Sequence, residues 1–178
     1  MLMKYIALIA LFLSALTPVF AEGESDAAAS LVAHAASQDE RVERLTDFLA
    51  SQNSPFADEA SYFVAEADRL NLDWKLVAAI AGVESTFGKH IPTGSYNAWG
   101  WGVFTGTQWG VAFANWRDGI TQVSEGIKFN YIDKGAETIE QIGRIYAASP
   151  AWSWKVHFFL DQIEAFAPND STQLDITI

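Results

Sequence analysis

Leu76-Val77-Ala78-Ala79-Ile80-Ala81-Gly82-Val83-Glu84-Ser85-Thr86-Phe87-Gly88-Lys89 is the run that decides how the rest of the chain is read. Asn71-Leu72-Asp73 precedes it as a cap, which predicts a helix from Trp74 to about Ser85 with Leu76, Ile80 and Val83 facing inward. At about 100° per residue, Glu84 falls on the shoulder of that stripe, beside Val77 and Ile80, near the end of an otherwise apolar helix. A carboxylate placed there is partly desolvated, and desolvation raises its pKa. An acid still protonated near neutral pH suits proton donation to a leaving-group oxygen. The alternative is a helix-terminal Glu reaching solvent or pairing with Lys89.

Working outward, the chain changes character from Phe87 to Trp116. This stretch holds six Gly (88, 94, 100, 102, 106, 110) and four Trp (99, 101, 109, 116), and from Ser85 to Arg117 there is no Asp or Glu. Pro92-Thr93-Gly94 and Thr105-Gly106-Thr107 are turn signals, so an irregular loop with a short β-hairpin is expected. Tyr96, Trp99, Trp101, Phe104 and Trp109 crowd into it. Aromatic rings on a loop are costly to expose unless something stacks on them, and the apolar face of a sugar ring is a natural partner. Asn97 supplies a donor and an acceptor for an N-acetyl group or a hydroxyl. Trp116 reads as core, whereas Trp99 and Trp101, each followed by Gly, read as lining for a cleft.

On either side the periodicity is helical. Asp39 to Gln52 places Val42, Leu45, Phe48 and Leu49 at spacings of three and four and stops at Asn53-Ser54-Pro55; a second helix runs from about Phe56 to Leu70. Downstream, Asp118 reads as an N-cap for a helix carrying Ile120, Val123, Ile127 and Tyr131 inward and ending near Lys134-Gly135. Thr138 to Ala147 puts Ile139, Ile142 and Tyr146 on one face. Ser149-Pro150 then predicts a cap and first turn for a last helix lined by Trp152, Val156, Phe159, Leu160, Ile163 and Phe166 and ended by Pro168. The fold class is mainly α, five or six short helices with one Gly/Trp-rich interruption.

The ends and the composition bound the setting. Lys4 followed by an uncharged run from Tyr5 to Leu16, then Thr17-Pro18-Val19-Phe20-Ala21, has the pattern of a cleaved signal peptide over 1–21; an uncleaved anchor is the alternative, though the run is short for a membrane span. Residues 22–38 read as an Ala/Ser-rich linker, 39–167 as the packed domain and 168–178 as a tail. Loss of Lys4 would take the net charge from −11 to −12, which disfavours nucleic acid as a partner. With no Cys there is no disulfide framework and no lipoprotein anchor. His34, His90 and His157 lack ligand spacing for a metal. No cofactor motif is present, and nothing indicates an oligomeric state.

The run from Leu76 to Lys89 resembles the catalytic-helix signature shared by soluble lytic transglycosylases and bacterial endo-β-N-acetylglucosaminidases of the flagellar-muramidase type. Asn97-Ala98-Trp99-Gly100-Trp101-Gly102 is similar to the Asn-x-x-Gly element of the glucosaminidase branch, and Ile145-Tyr146-Ala147-Ala148-Ser149-Pro150-Ala151-Trp152 resembles its late Tyr element. The resemblance spans roughly residues 60 to 165. It implies a lysozyme-like fold, peptidoglycan glycan strands as substrate and Glu84 as the acid. Ser85, Tyr96, Asn97, Trp99, Trp101 and Tyr146 are then candidate substrate-binding residues, with Tyr146 facing the acid; Tyr146 also continues the Ile139 and Ile142 stripe and reads equally as core. The Gly-Leu-Met-Gln element of many transglycosylases is absent, as is the second acid that glucosaminidases often carry on the hairpin. Asp118, Glu125 and Asp133 are the remaining candidates for a second carboxylate, Asp118 reading better as a cap and Glu125 as solvated. A single acid assisted by the substrate's own N-acetyl group or 6-hydroxyl is the simplest fit, and hydrolysis and 1,6-anhydro release both remain open.

Overall fold

A computed structural model describes residues 39–102 and 110–168. The signal-peptide and linker readings (1–38), the tail beyond 168, and Phe104, Trp109 and the turn at Thr105-Gly106-Thr107 lie outside the described residues. The described chain is mainly helical: α1 (Glu40–Ser51), a 3₁₀ turn (Ala57–Glu59), α2 (Ala60–Leu70), α3 (Leu76–Ser85), α4 (Trp116–Gly126), α5 (Ile139–Tyr146) and α6 (Trp152–Ala165). A π-helical turn (Ile127–Tyr131) and a 3₁₀ turn (Ile132–Lys134) extend α4 to Gly135. No helix among the described residues is long and apolar enough to cross a membrane.

The caps explain where the helices start. Asp39 caps α1 by accepting from the Arg41 N–H at 3.0 Å. Thr138 and Gln141 form a reciprocal capping box on α5. Asn115, not Asp118, caps α4: its Oδ1 accepts from the Asp118 N–H, and the Asp118 carboxylate accepts in return from the Ala114 N–H, each at 2.9 Å. Periodicity alone missed this because Trp116 and Arg117 form a first turn that precedes the inward stripe. The last helix likewise starts at Trp152 rather than Pro150; Ser149 Oγ accepts from the Ala151 N–H at 3.3 Å within a preceding turn. It ends at Ala165, before Pro168.

Packing places α3 at the centre. α6 and α4 lie directly against it, while α1, α2, α4, α3 and α6 close a ring of contacts and α5 docks on α6. The expected one-sided stripe is therefore replaced by burial all round: Leu76 through Gly82 are all buried, and Val83 is half-buried. A helix that is apolar on every side belongs in the interior. The core around it gathers Leu45, Phe48, Leu49, Phe63, Ile120, Val123, Val156 and Ile163.

The end of α3 is unusual. Thr86, Phe87 and Gly88 take φ values of 52°, 57° and 81° in succession. Left-handed geometry costs a residue with a side chain about 1–2 kcal/mol, and here contacts on both sides hold it. Phe87 is swung back into full burial, edge-on to Phe48 at 5.4 Å and Phe159 at 4.9 Å. No strand forms in the Gly/Trp-rich segment among the described residues. Two backbone bonds, Val111 N–H to Trp101 C=O at 3.1 Å and Phe113 N–H to Ser95 C=O at 2.8 Å, join its limbs. Left-handed Tyr96, Gly100 and Gly102 interrupt the two-residue alternation that a hairpin needs.

A Cβ at Gly82 would meet Phe87 Cζ at 2.6 Å and Phe159 Cδ2 at 2.9 Å. Gly82→Ala in an open helix would stabilise by about 1 kcal/mol; here it is expected to destabilise by about 1–3 kcal/mol, measured by denaturant unfolding. A stabilised variant would contradict this packing.

Candidate active site

Glu84 occupies the next-to-last position of α3, so the most buried helix of the fold delivers the carboxyl to the surface at its end. Two hollows share Glu84 and Gly100 in their walls. One, about 390 Å³, is lined also by His90, Pro92, Ser95, Asn97 and Val111. The other, about 450 Å³, runs past Val83, Tyr146, Ser149, Trp152 and Lys155. Each is within the range of small-molecule sites, about 300–1,000 Å³.

The two oxygens of Glu84 are in different surroundings. Oε1 accepts from the indole N–H of Trp152 at 2.7 Å. Oε2 faces Gly100, where a Cβ would stand 3.4 Å away. Glu84 is exposed by surface area because it opens on both hollows, yet the walls around its carboxyl exclude much of the surrounding water. That desolvation raises the pKa; the Trp152 hydrogen bond and then the charge of Lys155 pull it down, and desolvation prevails. The expected direction of the shift is therefore met, through the walls of the site rather than through a shoulder position on a stripe.

Ser85 and Asn97 build the scaffold beside the acid. Ser85 is buried; its hydroxyl lies 2.7 Å from Ala98 C=O and 3.1 Å from Ala81 C=O and accepts from the Gly88 N–H at 2.8 Å. Asn97 donates to Trp101 C=O and Val111 C=O, each at 2.9 Å, and its Oδ1 accepts from the N–H groups of Trp101 at 2.9 Å and Trp99 at 3.3 Å. The amide borders the first hollow, but all its bonding capacity closes the loop that carries Gly100.

The aromatic candidates divide. Trp99 is wholly buried, stacked near Phe56, with its indole N–H on Val77 C=O at 2.9 Å, so its ring has no face for a ligand. Its following glycine makes room for the carboxyl of Glu84 instead. Trp101 lies against Gly126, where a Cβ would come within 2.1 Å of Cζ2, and joins a group with Tyr131 and Tyr146 at ring distances of about 6 Å. Tyr96 is exposed and edge-on to half-buried Trp116 at 5.1 Å. Tyr146 does line the second hollow. Its hydroxyl donates to Trp99 C=O at 2.6 Å and its ring stacks on Trp152 at 5.0 Å. Burial first, then Glu84 and Tyr131, hold its pKa well above 10, so it remains a donor.

Neither hollow is lined by a carboxylate other than Glu84 among the described residues. Asp118 is engaged in the α4 cap, Glu125 pairs with Arg69 at 2.9 Å and Asp133 with Lys128 at 2.7 Å. From the sequence Trp152 reads as lining of the last helix and His90 only as lacking metal-ligand spacing, and Lys155 carries no reading. Trp152 stood at the end of the late Tyr element, but only folding reveals that its N–H meets Glu84, 68 residues earlier.

Folding raises the pKa of Glu84 above its ordinary 4.5, so the folded state holds this proton more tightly than the unfolded chain. The resulting stabilisation is complete below that ordinary value and is lost as pH rises through the folded one. Glu84→Gln keeps an oxygen for Trp152 and removes the charge. It is expected to raise Tm above wild type at about pH 8 and to leave it close to wild type at about pH 4; the same difference at both would contradict the desolvation.

Comparison with models of known protein families gives no match for this chain, and comparison with curated proteins gives none.

Proposed function

We propose that this protein is an exported, lysozyme-like glycosidase that cuts β-1,4 bonds between N-acetylglucosamine and N-acetylmuramic acid in peptidoglycan, with Glu84 as its acid. The observation that carries the reading is the Glu84 carboxyl standing in the shared wall of two hollows of about 390 and 450 Å³, with no other carboxylate lining either among the described residues. A strand laid through both would present a glycosidic oxygen to Glu84, with sugars on either side. The likeness of the α3 signature to glucosaminidases and lytic transglycosylases supports the same role, as does Tyr146 lining the second hollow beside the acid.

The chemistry follows from a single carboxyl. Glu84 gives its proton to the bridging oxygen as the C1–O bond breaks, and positive charge develops at C1. A retaining enzyme with a protein nucleophile needs a second carboxyl about 5–5.5 Å from the acid. The described walls hold none, which supports attack by the substrate's own 2-acetamido oxygen. Glu84, now ionised, then takes a proton from water as water adds at C1 and the bond from C1 to the acetamido oxygen breaks, which restores both the acid and the N-acetyl group and completes hydrolysis. The same acid serves a 6-hydroxyl attack, whose 1,6-anhydro product is one water lighter.

Incubation of the protein with purified peptidoglycan, followed by mass spectrometry, is expected to show new reducing-end fragments of hydrolytic mass. Glu84→Gln is expected to lower the rate by at least about a hundredfold while pelleting with the wall as wild type does. Fragments lighter by one water would assign the reaction as lytic transglycosylation. Wild-type protein that binds but releases no fragments would make the domain a wall-binding module.

A further inference from the structure

We infer that Trp152 is the positioning residue for the acid: its indole N–H reserves Oε1 as an acceptor and leaves Oε2, opposite Gly100, as the oxygen that carries the transferable proton. The inference deepens the proposed reaction and rests on it. A carboxylic acid can carry its proton on either oxygen, and only the one that faces the scissile oxygen is useful. An indole N–H donates and never accepts, so it matches an oxygen that keeps its lone pair in both protonation states. The bond is 2.7 Å long, within the range of charge-assisted bonds when Glu84 is ionised.

What holds the indole is equally specific. Trp152 is buried at the start of α6, and its ring stacks on Tyr146 at 5.0 Å with 25° between planes. Tyr146 is in turn tied to Trp99 C=O at 2.6 Å, one residue before Gly100. Gly143 brings α5 against the same ring, since a Cβ there would stand 2.9 Å from Trp152 Cε3. Three separate segments, α5, α6 and the loop carrying Gly100, thus converge on one N–H. The ionisable groups facing Glu84 are Lys155 on α6, Tyr146 on α5 and His90 across the first hollow. Lys155 acts on both oxygens through charge, whereas the indole distinguishes them.

The test uses the whole protein with Trp152→Phe, and a second variant carrying 3-benzothienylalanine at position 152. The latter replaces the N–H with sulfur and keeps the ring area, so it isolates the donor from any packing loss. In wild type, the Trp152 indole N–H resonance, identified by its disappearance in Trp152→Phe, is expected to shift as Glu84 titrates and to stay protected from solvent exchange on the acid side of that transition. In both variants the Glu84 carboxyl carbon is expected to titrate at higher pH than in wild type. Turnover of purified glycan at the pH optimum is expected to fall roughly tenfold with KM little changed. Loss of indole protection when Glu84 is protonated, an unchanged titration, or full turnover in the sulfur isostere would each overturn the inference. If wild type cleaves no glycan the proposed reaction fails, while indole protection and the titration still decide the role of Trp152.

Discussion

The hydroxyl of Ser85 joins the end of α3 to the loop before Gly100, and the geometry around Glu84 depends on that junction. With one hydrogen to give, it has the shorter contact to Ala98 C=O, while its lone pair receives the Gly88 N–H. The helix end, the left-handed turn and the loop are therefore tied together at one hydroxyl. The Trp99 indole on Val77 C=O and the Tyr146 hydroxyl on Trp99 C=O hold the same loop from two other sides, so the distance from Gly100 to Oε2 is set by three ties. Two non-glycine residues in left-handed geometry cost about 1–2 kcal/mol each, and full burial of the Phe87 side chain offsets about 1.5–3 kcal/mol of that. Strain at the helix end is held by packing of the core, which keeps the acid in place without surrounding it.

A second division of labour concerns the aromatic rings. Two rings that follow the acid in sequence serve packing: Trp99 fills the space beneath the loop, and Trp101 packs on α4 at Gly126. Those at the acid itself come from the other end of the chain, on α5 and α6. Helix α6 both packs on α3 and brings Trp152 to its end. The contact that organises the core thus also fixes the hydrogen bond to Oε1.

The helices were legible because burial imposes a period of about 3.6 on the sequence; α1 and α5 begin and end close to where apolar spacing and caps place them, whereas α2 ends at Leu70 as expected but starts at Ala60 rather than Phe56, after a 3₁₀ turn. The α4 boundary lies where side-chain geometry decides: Asn115 accepts from the Asp118 N–H while Asp118 accepts from the Ala114 N–H, and Trp116 precedes the stripe. The central position of α3 is written in the sequence too, since Val77, Ala78, Ala79 and Ala81 leave it no polar face; a stripe of Leu76, Ile80 and Val83 alone describes only one side of it. Glu84 could be nominated as a lone acid in an apolar helix. The sugar-facing reading of Trp99 could not be checked from sequence, since a ring beside glycine has the same signature whether the glycine admits a ligand or a neighbouring carboxyl. Trp152 was out of reach for a different reason, its partner being remote in sequence.

The electrostatics set one more condition on the proposed reaction. A chain of net charge −11 repels an anionic polymer at long range, so capture of a wall strand has to come from short-range contacts in the hollows. At Glu84 itself the nearby charge works the other way, since desolvation raises its pKa and a cation lowers it. Lys155 is the local counterweight. Were it closer or joined by a second cation, Glu84 would ionise early and lose its use as an acid. Were it absent, the ionised form that must later accept a proton from water would be harder to reach. One cation on the rim, one neutral donor on Oε1 and an open Oε2 leave the carboxyl able to change state in both directions, as a reaction with a single acid and base requires.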